Sequence, residues 1–276
     1  MGSTDYFGLD YYKSGNEWKS QFPRGLLARL HLRWPIVNLL AFKNWLTIYT
    51  GTSPYRVVTR SGAIFETAHK ARDLPIIAYL FHFKEYGNLS GLPQYATVID
   101  LGGHVGSFSV SVLRENPSAR VFTYEPSPES FSALKKNIAL NGLEGRCTLF
   151  QKAVAGVAGP RSFYMTEKSS ANTLIDHRKG TQSVTVQCTT LDDIFRENHI
   201  ETCELLKMDI EGAEFETIAA ASDNVLSRVQ RIILEWHQKG GSHREQDILD
   251  LLTKRGFSTR SDVPSRNLIT AVHAKL

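Results

Sequence analysis

Cysteine is scarce in this sequence. Three cysteines occur in 276 residues, and they stand far apart at Cys147, Cys188 and Cys203. Their spacing matches neither a zinc site nor the disulfide framework of a small secreted domain, which favours a reducing compartment. The start of the chain is polar and aromatic and lacks the apolar stretch of a signal peptide, so we expect a cytoplasmic protein.

Long apolar runs and a strong net charge are also lacking. No stretch is long enough to span a membrane. The net charge is +4, and no run of basic residues is interleaved with aromatic residues, so the sequence does not indicate a nucleic-acid partner. With 42% hydrophobic residues, the chain has enough apolar surface for one large domain with an N-terminal extension.

A βαβ unit with a glycine-rich first turn is predicted over residues 97–126. A short apolar run at 97–101 is typical of a strand buried on both faces, and glycines follow at 102–106. A helical pattern and a second apolar run at 120–124 lead to an acid, Glu125. This arrangement suits an adenosine-type ligand, because glycines allow a close approach of the backbone and a carboxylate accepts hydrogen bonds from ribose hydroxyls.

The spacing of the glycines narrows the type of ligand. A dinucleotide fingerprint reads G-x-G-x-x-G, whereas this turn reads G-G-x-x-G. Asp100 precedes the first glycine by two residues, and a carboxylate there would repel a pyrophosphate but can face the ammonium group of S-adenosylmethionine. An ordinary βα turn without a ligand is the alternative, and a nicotinamide-dependent oxidoreductase is disfavoured by the spacing.

The rest of the chain continues the alternation of strands and helices. Further strands are predicted at 147–150, 204–210 and 229–236, with a closing pair at 257–260 and 268–274, another pair at 161–166 and 183–189, and helices at 128–140, 191–198, 211–221 and 243–254. This pattern predicts an α/β fold with a doubly wound, mostly parallel, seven-stranded sheet. The polar connection at 167–182 is the longest stretch without apolar periodicity in the main domain.

The N-terminal part has a different character. Residues 1–20 lack periodicity, residues 22–49 predict two basic amphipathic helices broken near Pro35, and a hairpin at 55–68 and a helix at 73–86 follow. The amphipathic segment could lie on a membrane surface, pack on its own domain or contact a second copy in a homo-oligomer. A turn-rich link at 87–93 favours a division into an extension, 1–92, and a main domain, 93–276.

Acidic residues are predicted at four strand ends. In a doubly wound sheet ligands bind at the carboxyl ends of the strands. The ends of four strands there bring together residues 100–106, Glu125, residues 209–211 and residues 235–237. Several acids and one histidine at one edge would repel one another unless a cation or protons lay among them.

These strand ends resemble the FkbM-type family of S-adenosylmethionine-dependent methyltransferases. The resemblance covers residues 95–240 and is carried by D-L-G-G-H-V-G at 100–106, Y-E-P at 124–126 with Asn137 in the next helix, T-L-D-D at 190–193 and L-K-M-D-I-E-G-A-E at 206–214. The turn of the family reads D-x-G-A-N-x-G, and here Gly103 and His104 replace its alanine and asparagine.

The resemblance implies a class I methyltransferase with a Rossmann-like fold that methylates oxygen on a small-molecule or glycan acceptor. Hydroxyls of sugars and natural products are the expected acceptors, and carboxyl methylation is an alternative, as is a non-catalytic scaffold that keeps the fold. The predicted S-adenosylmethionine-binding residues are Asp100, Gly102, Gly103, His104, Gly106, Glu125, Pro126 and Ala153.

The acceptor side is predicted to contain a general base. His237 takes this role, Asp209 or Glu235 orients its ring, and Glu211 borders the acceptor. Alternatively Asp209, Glu235 and His237 hold a divalent cation such as Mg²⁺. Residues 22–50 and the connection at 167–182 are expected to cover this side of the site, because methyl transfer needs water excluded and the acceptor aligned.

Overall fold

Strands and helices alternate along the chain. The computed structural model describes residues 10–14, 17–21, 56–59, 61–68, 73, 76–77, 80–81, 86–165, 172–175, 182–238, 243–263 and 268–274. The strands are β1 (Asp10–Ser14), β2 (Glu17–Gln21), β3 (Arg56–Val58), β4 (Ile64–Glu66), β5 (Thr97–Leu101), β6 (Arg120–Tyr124), β7 (Cys147–Phe150), β8 (Ala153–Val154), β9 (Gly159–Met165), β10 (Gln182–Thr189), β11 (Leu205–Met208), β12 (Arg231–Glu235), β13 (Phe257–Val263) and β14 (Leu268–His273). The helices are α1 (Ser107–Glu115), α2 (Pro128–Leu140), α3 (Leu191–Glu197), α4 (Glu214–Ala220), α5 (Asp223–Leu226) and α6 (Glu245–Lys254).

Seven strands of the described residues form the central sheet. Their order is β13-β14-β12-β11-β5-β6-β7. All neighbours are parallel except β14, which runs antiparallel to both β12 and β13. The predicted doubly wound, mostly parallel sheet is confirmed, and the strand order reverses between β5 and β11, where ligands of such sheets bind.

Helices cover both faces of this sheet, because its strands are apolar on both sides. In β11, Leu205 packs in a cluster with Val112 of α1 and Leu134 of α2. The next residue, Leu206, packs in a second cluster with helix residues that include Ile194 of α3. Burying one such side chain contributes about 1.5–3 kcal/mol. The sheet is therefore the shared centre of two cores.

Side chains cap the first turns of helices α2 and α3. Ser127 accepts a hydrogen bond from the backbone of Ser130 at the start of α2, and Pro128 occupies the first helical position. Thr190 and Asp193 form a capping box at the start of α3. A helix with the length and hydropathy of a membrane span does not occur in the part of the chain that the structure describes.

A smaller sheet lies beside the main one. Among the described residues its strand order is β8-β10-β9, with β10 antiparallel to β9 and parallel to β8. The predicted strand pair at 161–166 and 183–189 is thus confirmed. Of the polar connection between these strands the structure describes residues 172–175, where Thr173 pairs with Tyr164 of β9.

The start of helix α4 differs from the prediction. The sequence predicted a helix from Glu211, but α4 begins at Glu214. Glu211 and Gly212 have φ angles of 57° and 110°, and a right-handed helix cannot begin through residues in this conformation. The short helix α5 was not predicted.

The described residues of the N-terminal part form two hairpins. The predicted hairpin at 55–68 is confirmed as β3 and β4, and residues 76–77 and 80–81 of the predicted helix are helical. No strand was predicted in residues 1–20, whereas β1 and β2 form there and pair antiparallel. These strands lack the alternation of apolar and polar residues on which the prediction depended. The predicted helices at 22–49, with their membrane or oligomer contact, lie outside the described residues.

The second hairpin shares a hydrophobic cluster with the main domain. Phe65 and Ile77 pack in the same cluster as Val98 and Val105, and Phe65 is fully buried. The division of the chain at residue 92 stays a prediction, but the packing of described residues is continuous across it.

Candidate functional site

The carboxyl ends of four neighbouring strands meet at one edge of the sheet. Strand β5 lies between β6 and β11, and β12 lies beside β11. The turn after β5 therefore lies close to Glu125 after β6, to Asp209 after β11, and to Glu235 and His237 at the end of β12. The prediction that these strand ends meet at one edge is confirmed.

The turn at 102–106 is called the cofactor turn after the ligand predicted for it, and its glycines are required by packing inside the protein. A Cβ on Gly102 would lie 1.8 Å from the backbone oxygen of Asp209, and one on Gly103 would lie 2.2 Å from Thr123 Cγ2. Gly106 has a φ of 87°, which favours glycine. The glycines thus bring the ends of β5, β6 and β11 together, and their direct contact with a cofactor stays a prediction.

Backbone hydrogen bonds fix the conformation of the cofactor turn. The N–H groups of Gly102 and Gly103 both donate to the carbonyl of Tyr124, at 2.9 and 3.0 Å. His104 has a φ of 47°, and its N–H donates to Oε2 of Glu125 at 2.8 Å. Its ring faces the N-terminal part, with Nε2 3.5 Å from Oδ1 of Asp73. A contact between His104 and the methionine portion of a cofactor stays a prediction.

Glu125 is a buried carboxylate held by the backbone. It is 6% exposed. Its Oε1 accepts a hydrogen bond from the N–H of Ser127 at 2.8 Å, and Oε2 accepts the bond from His104. Burial raises the pKa of Glu125 to about 7, against the opposing effect of these two hydrogen bonds. Each oxygen keeps lone pairs for a further donor. Pro126 follows it and is half-buried.

Asp100 lies inside the sheet and forms an ion pair with Lys207. The two residues are partners in the register of β5 and β11, and Nζ of Lys207 lies 3.1 Å from Oδ1 of Asp100. Lys207 also donates to the carbonyl of Gly102 at 2.7 Å, and Ser109 donates to Oδ2 of Asp100 at 2.6 Å. Burial lowers the pKa of Lys207, but Asp100 and Asp209 outweigh it and raise that pKa. The ion pair therefore supports the cofactor turn, while a contact of Asp100 with a cofactor ammonium stays a prediction.

His237 lies at the centre of the acidic strand ends. Its Nδ1 is 3.0 Å from Oε1 of Glu214, which is fully buried. Its Nε2 faces Glu211 at 3.6 Å, Glu235 at 3.7 Å and Asp209 at 3.9 Å. Glu214 therefore lies within hydrogen-bond distance of the ring, whereas the oxygens of Asp209 and Glu235 lie beyond it. The predicted orienting role of Asp209 or Glu235 in catalysis stays a prediction.

These carboxylates control the charge of the ring. Burial lowers the pKa of His237, but Glu211, Glu214 and Asp209 together outweigh it and raise the pKa to about 10. At neutral pH the ring is mostly protonated and carries a positive charge. This charge compensates part of the mutual repulsion of the carboxylates.

Three residues of the cluster lie close enough together to hold a metal ion. One ligand atom each from Asp209, Glu211 and His237 lie within 4.8 Å of one another among the described residues. The predicted set contained Glu235 in the place of Glu211. A carboxylate that orients Nδ1 of a histidine, as Glu214 does here, is also common behind metal-bound histidines.

The smaller sheet and the polar connection approach the same edge. Oγ1 of Thr173 donates to the carbonyl of Glu211 at 2.6 Å. Ala153, in β8, is buried and pairs with Cys188 of β10. A contact of Ala153 with an adenine ring stays a prediction, as does covering of the acceptor by the undescribed residues of the connection.

The sequence matches the profile of the methyltransferase FkbM domain over residues 100–259. This match covers more than half of the chain and includes the cofactor turn, Glu125 and the His237 cluster. The chain belongs to the FkbM methyltransferase family. Its seven-stranded, mostly parallel sheet is the fold that the resemblance to this family predicted.

Three curated proteins are similar in sequence to this FkbM-family chain. Methyltransferase sdnD of Sordaria araneosa is 25% identical over 205 residues, which cover 63% of this chain and 78% of sdnD. The 31-O-demethyl-FK506 methyltransferase FkbM of Streptomyces tacrolimicus is 25% identical over 206 residues, 64% of this chain and 78% of the relative. The 2-O-methyltransferase NoeI of Sinorhizobium fredii is 25% identical over 174 residues, 56% of this chain and 70% of NoeI.

Lys207 and Glu214 belong to the site of this family member but were not predicted as site residues. Lys207 is a lysine inside an otherwise apolar strand, and such a lysine needs a buried partner, which was an available signal. Glu214 was placed in a helix and given no role. Its contact with His237 depends on the turn at Glu211 and Gly212, which no sequence pattern indicated.

Proposed function

We propose that this methyltransferase transfers the methyl group of S-adenosylmethionine to a hydroxyl oxygen of a small molecule, either a sugar or a natural product. The observation that carries the proposal is the cluster of His237 and carboxylates beside the cofactor turn. Two relatives support oxygen as the acceptor atom, since their names, 31-O-demethyl-FK506 methyltransferase and 2-O-methyltransferase, specify oxygen positions.

The charges at this edge fit the cofactor. When bound, S-adenosylmethionine supplies a methyl group on a positively charged sulfur. Carboxylates of Asp209, Glu211 and Glu235 lie at the strand ends, and the charge of Lys207 is compensated by Asp100. A negative edge attracts a cation and repels a pyrophosphate.

Glu125 is assigned to the ribose hydroxyls. Two backbone N–H groups hold its carboxylate in a fixed orientation, and each oxygen keeps lone pairs for a hydroxyl donor. The cofactor turn lies directly beside it, because His104 supplies one of those N–H groups. The ribose is thereby placed at the end of β6, on the side of the sheet edge away from β12.

His237 is assigned to the acceptor proton. An alcohol is a weak nucleophile until its proton leaves. Glu214 fixes the ring through Nδ1, so that Nε2 points into the cluster. Since its pKa is about 10, the neutral base form becomes more abundant as pH rises. Turnover of an alcohol acceptor should therefore increase from pH 7 towards pH 10.

The same charges favour a hydroxyl over a carboxyl acceptor. A carboxylate acceptor near Nε2 of His237 would also lie near three protein carboxylates. Two like charges 4 Å apart repel each other by about 4 kcal/mol near a protein surface. A neutral hydroxyl avoids this repulsion, although it needs a base that a carboxylate acceptor does not.

Labelled S-adenosylmethionine tests the proposal. The purified protein is incubated with sugars, polyketide alcohols and carboxylic acids, and methylated products are identified. We expect alcohols to be methylated and the variant His237→Ala to turn over about 10²-fold or more slowly, with cofactor affinity nearly unchanged. Methylation of carboxylic acids alone would support the carboxyl alternative, and cofactor binding without any transfer would support the scaffold alternative.

A divalent cation is a second candidate for acceptor activation. The grouping of Asp209, Glu211 and His237 favours it, and a set of two carboxylates and one imidazole suits ions such as Mn²⁺ and Zn²⁺ as well as Mg²⁺. A cation there would bind the acceptor oxygen directly. Activity that survives exhaustive EDTA treatment supports the base, whereas loss of activity that one of these ions restores supports the cation.

A further inference from the structure

Two asparagines of helix α2 bind the edge of strand β4. Asn137 and Asn141 are four residues apart and lie on one face of the helix, while Ile64 and Glu66 are two apart and point their backbone groups in one direction. Asn141 accepts from the N–H of Ile64 at 3.0 Å and donates to its carbonyl at 2.7 Å. Asn137 accepts from the N–H of Glu66 at 2.6 Å and donates to its carbonyl at 2.9 Å. The two side-chain amides thus pair with β4 as a neighbouring strand would.

Asn137 makes one additional contact, to the cofactor turn. Its Nδ2 also donates to the carbonyl of Val105 at 2.8 Å. An amide NH₂ has two hydrogens, so Asn137 can serve Glu66 and Val105 at the same time. The corresponding second bond of Asn141 goes to the carbonyl of Asn137, within the helix. Asn137 is fully buried.

The carbonyl of Val105 is a sensitive position in the turn. Val105 stands between His104 and Gly106, which have φ angles of 47° and 87°. The peptide group that contains this carbonyl also contains the N–H of Gly106, which donates to the carbonyl of Gly103 at 2.8 Å. The N–H of this peptide group is thus held by a hydrogen bond within the turn. The hydrogen bond from Asn137 fixes its carbonyl as well.

We propose that Asn137 is a positioning residue that couples the hairpin of β3 and β4 to the cofactor turn. The effect on the cofactor rests on the proposed function, in which S-adenosylmethionine binds at residues 102–106. Asn137 fixes the Val105 peptide, and this peptide fixes His104, whose N–H orients Glu125. Asn141 holds the same hairpin without reaching the turn, so it provides a matched control.

The test compares Asn137→Ala with Asn141→Ala. Each variant loses two hydrogen bonds to β4, and we expect both to have a lower melting temperature. Only Asn137→Ala should bind S-adenosylmethionine more weakly, by about fivefold or more, the effect of one buried hydrogen bond. Calorimetry measures the affinity. The KM for the cofactor should rise with it, while kcat at saturating cofactor stays close to that of the unchanged protein.

Hydrogen exchange gives a readout that does not depend on the cofactor. Amides of residues 104–106 should exchange faster in Asn137→Ala than in Asn141→Ala at equal global stability. If Asn137→Ala does not fold, Asn137→Asp and Asn141→Asp replace the pair, since aspartate keeps the acceptor and exchanges the donor for an oxygen. Equal affinity loss and equal exchange in the two variants would overturn the coupling. If the unchanged protein does not bind S-adenosylmethionine, the proposed function fails, and the exchange comparison still decides the coupling.

Discussion

At the scale of single residues, the site is built from buried charges that compensate one another. Lys207 pairs with Asp100, and His237 pairs with Glu214. Removing one partner of a buried pair leaves a charge in a poorly solvated place, which costs more than the pair itself contributes. The ion pair of Asp100 and Lys207 therefore supports both the fold and the cofactor turn.

Lys207→Met should destabilise the folded protein strongly. The variant leaves the carboxylate of Asp100 buried without its cation, and we expect it to lower the free energy of unfolding by about 3–5 kcal/mol. Adding Asp100→Asn removes the unpaired charge, so the double variant should recover part of this loss. Urea unfolding of the two variants measures the difference. Equal stability of the single and double variants would contradict a direct ion pair.

Because the pKa of Glu125 is raised, we expect the affinity for the cofactor to depend on pH. Its pKa of about 7 means that the carboxyl becomes protonated between pH 8 and pH 6 and loses acceptor capacity for ribose hydroxyls. Affinity for S-adenosylmethionine should therefore be about tenfold weaker at pH 6 than at pH 8. Glu125→Ala should bind about tenfold more weakly at pH 8, from the loss of roughly 1–3 kcal/mol, and should lose the pH dependence. Calorimetry at several pH values tests both statements.

The raised pKa of Glu125 also makes the stability of the folded protein depend on pH. Burial favours the protonated carboxyl in the folded state, so this group contributes most to stability below its unfolded pKa of 4.5. That contribution decreases as pH rises through about 7. A bound cofactor that hydrogen-bonds the ionised form should offset this loss at high pH.

Single residues also show how far sequence reasoning reaches. The positions of Asp209, Glu211 and His237 after buried strands predicted that they meet, because parallel strands end at one edge. The choice of Glu214 as the partner of His237 could not be predicted, since it depends on the left-handed backbone at Glu211. A pattern of residue types indicates where a strand ends, but it does not indicate the path of the loop that follows the strand.

At the scale of elements, the close approach of the β5 turn to the end of β11 organises the site. Gly102 permits this approach, since any side chain would collide with the backbone of Asp209. The sequence suggested that the glycines make room for a ligand. In the structure they first make room for a neighbouring strand, and this second reason is a tertiary contact that a glycine pattern alone does not reveal.

A comparison of Gly102→Ala with Gly142→Ala distinguishes the effect of a steric collision from the effect of backbone strain. Both glycines have a positive φ, 82° and 65°, but a Cβ on Gly142 would meet nothing within 4 Å. We expect Gly142→Ala to lower the free energy of unfolding by about 1–2 kcal/mol, from the left-handed conformation. Gly102→Ala should add about 1–3 kcal/mol from overpacking and should weaken cofactor binding. Chemical unfolding and calorimetry of both variants check this, and equal effects would argue against a collision at Gly102.

At the scale of the whole molecule, the hydrophobic core extends from the hairpin into the main sheet. Among the described residues, five of its buried side chains precede residue 92, namely Ala63, Phe65, Ile77, Leu80 and Leu89. They contact a cluster that includes Val105 of the cofactor turn and Phe108 of α1. The composition and turn signals at 87–93 suggested a boundary because they describe the local chain, whereas the packing across it depends on distant residues.

Two truncations test whether the extension is a separate unit. A fragment of residues 93–276 loses the four large buried side chains of Phe65, Ile77, Leu80 and Leu89. Each contributes about 1.5–3 kcal/mol, against a total stability of about 5–15 kcal/mol for a typical domain. We expect this fragment to unfold without a cooperative transition or at a much lower temperature. A fragment of residues 56–276 keeps the hairpin, Asn137 with its contact to Glu66, and the shared cluster, and should unfold cooperatively and bind S-adenosylmethionine. Thermal unfolding followed by circular dichroism compares the two, with dye binding as a measure of exposed apolar surface. A shorter fragment as stable as the longer one would show that the main domain folds independently of the hairpin.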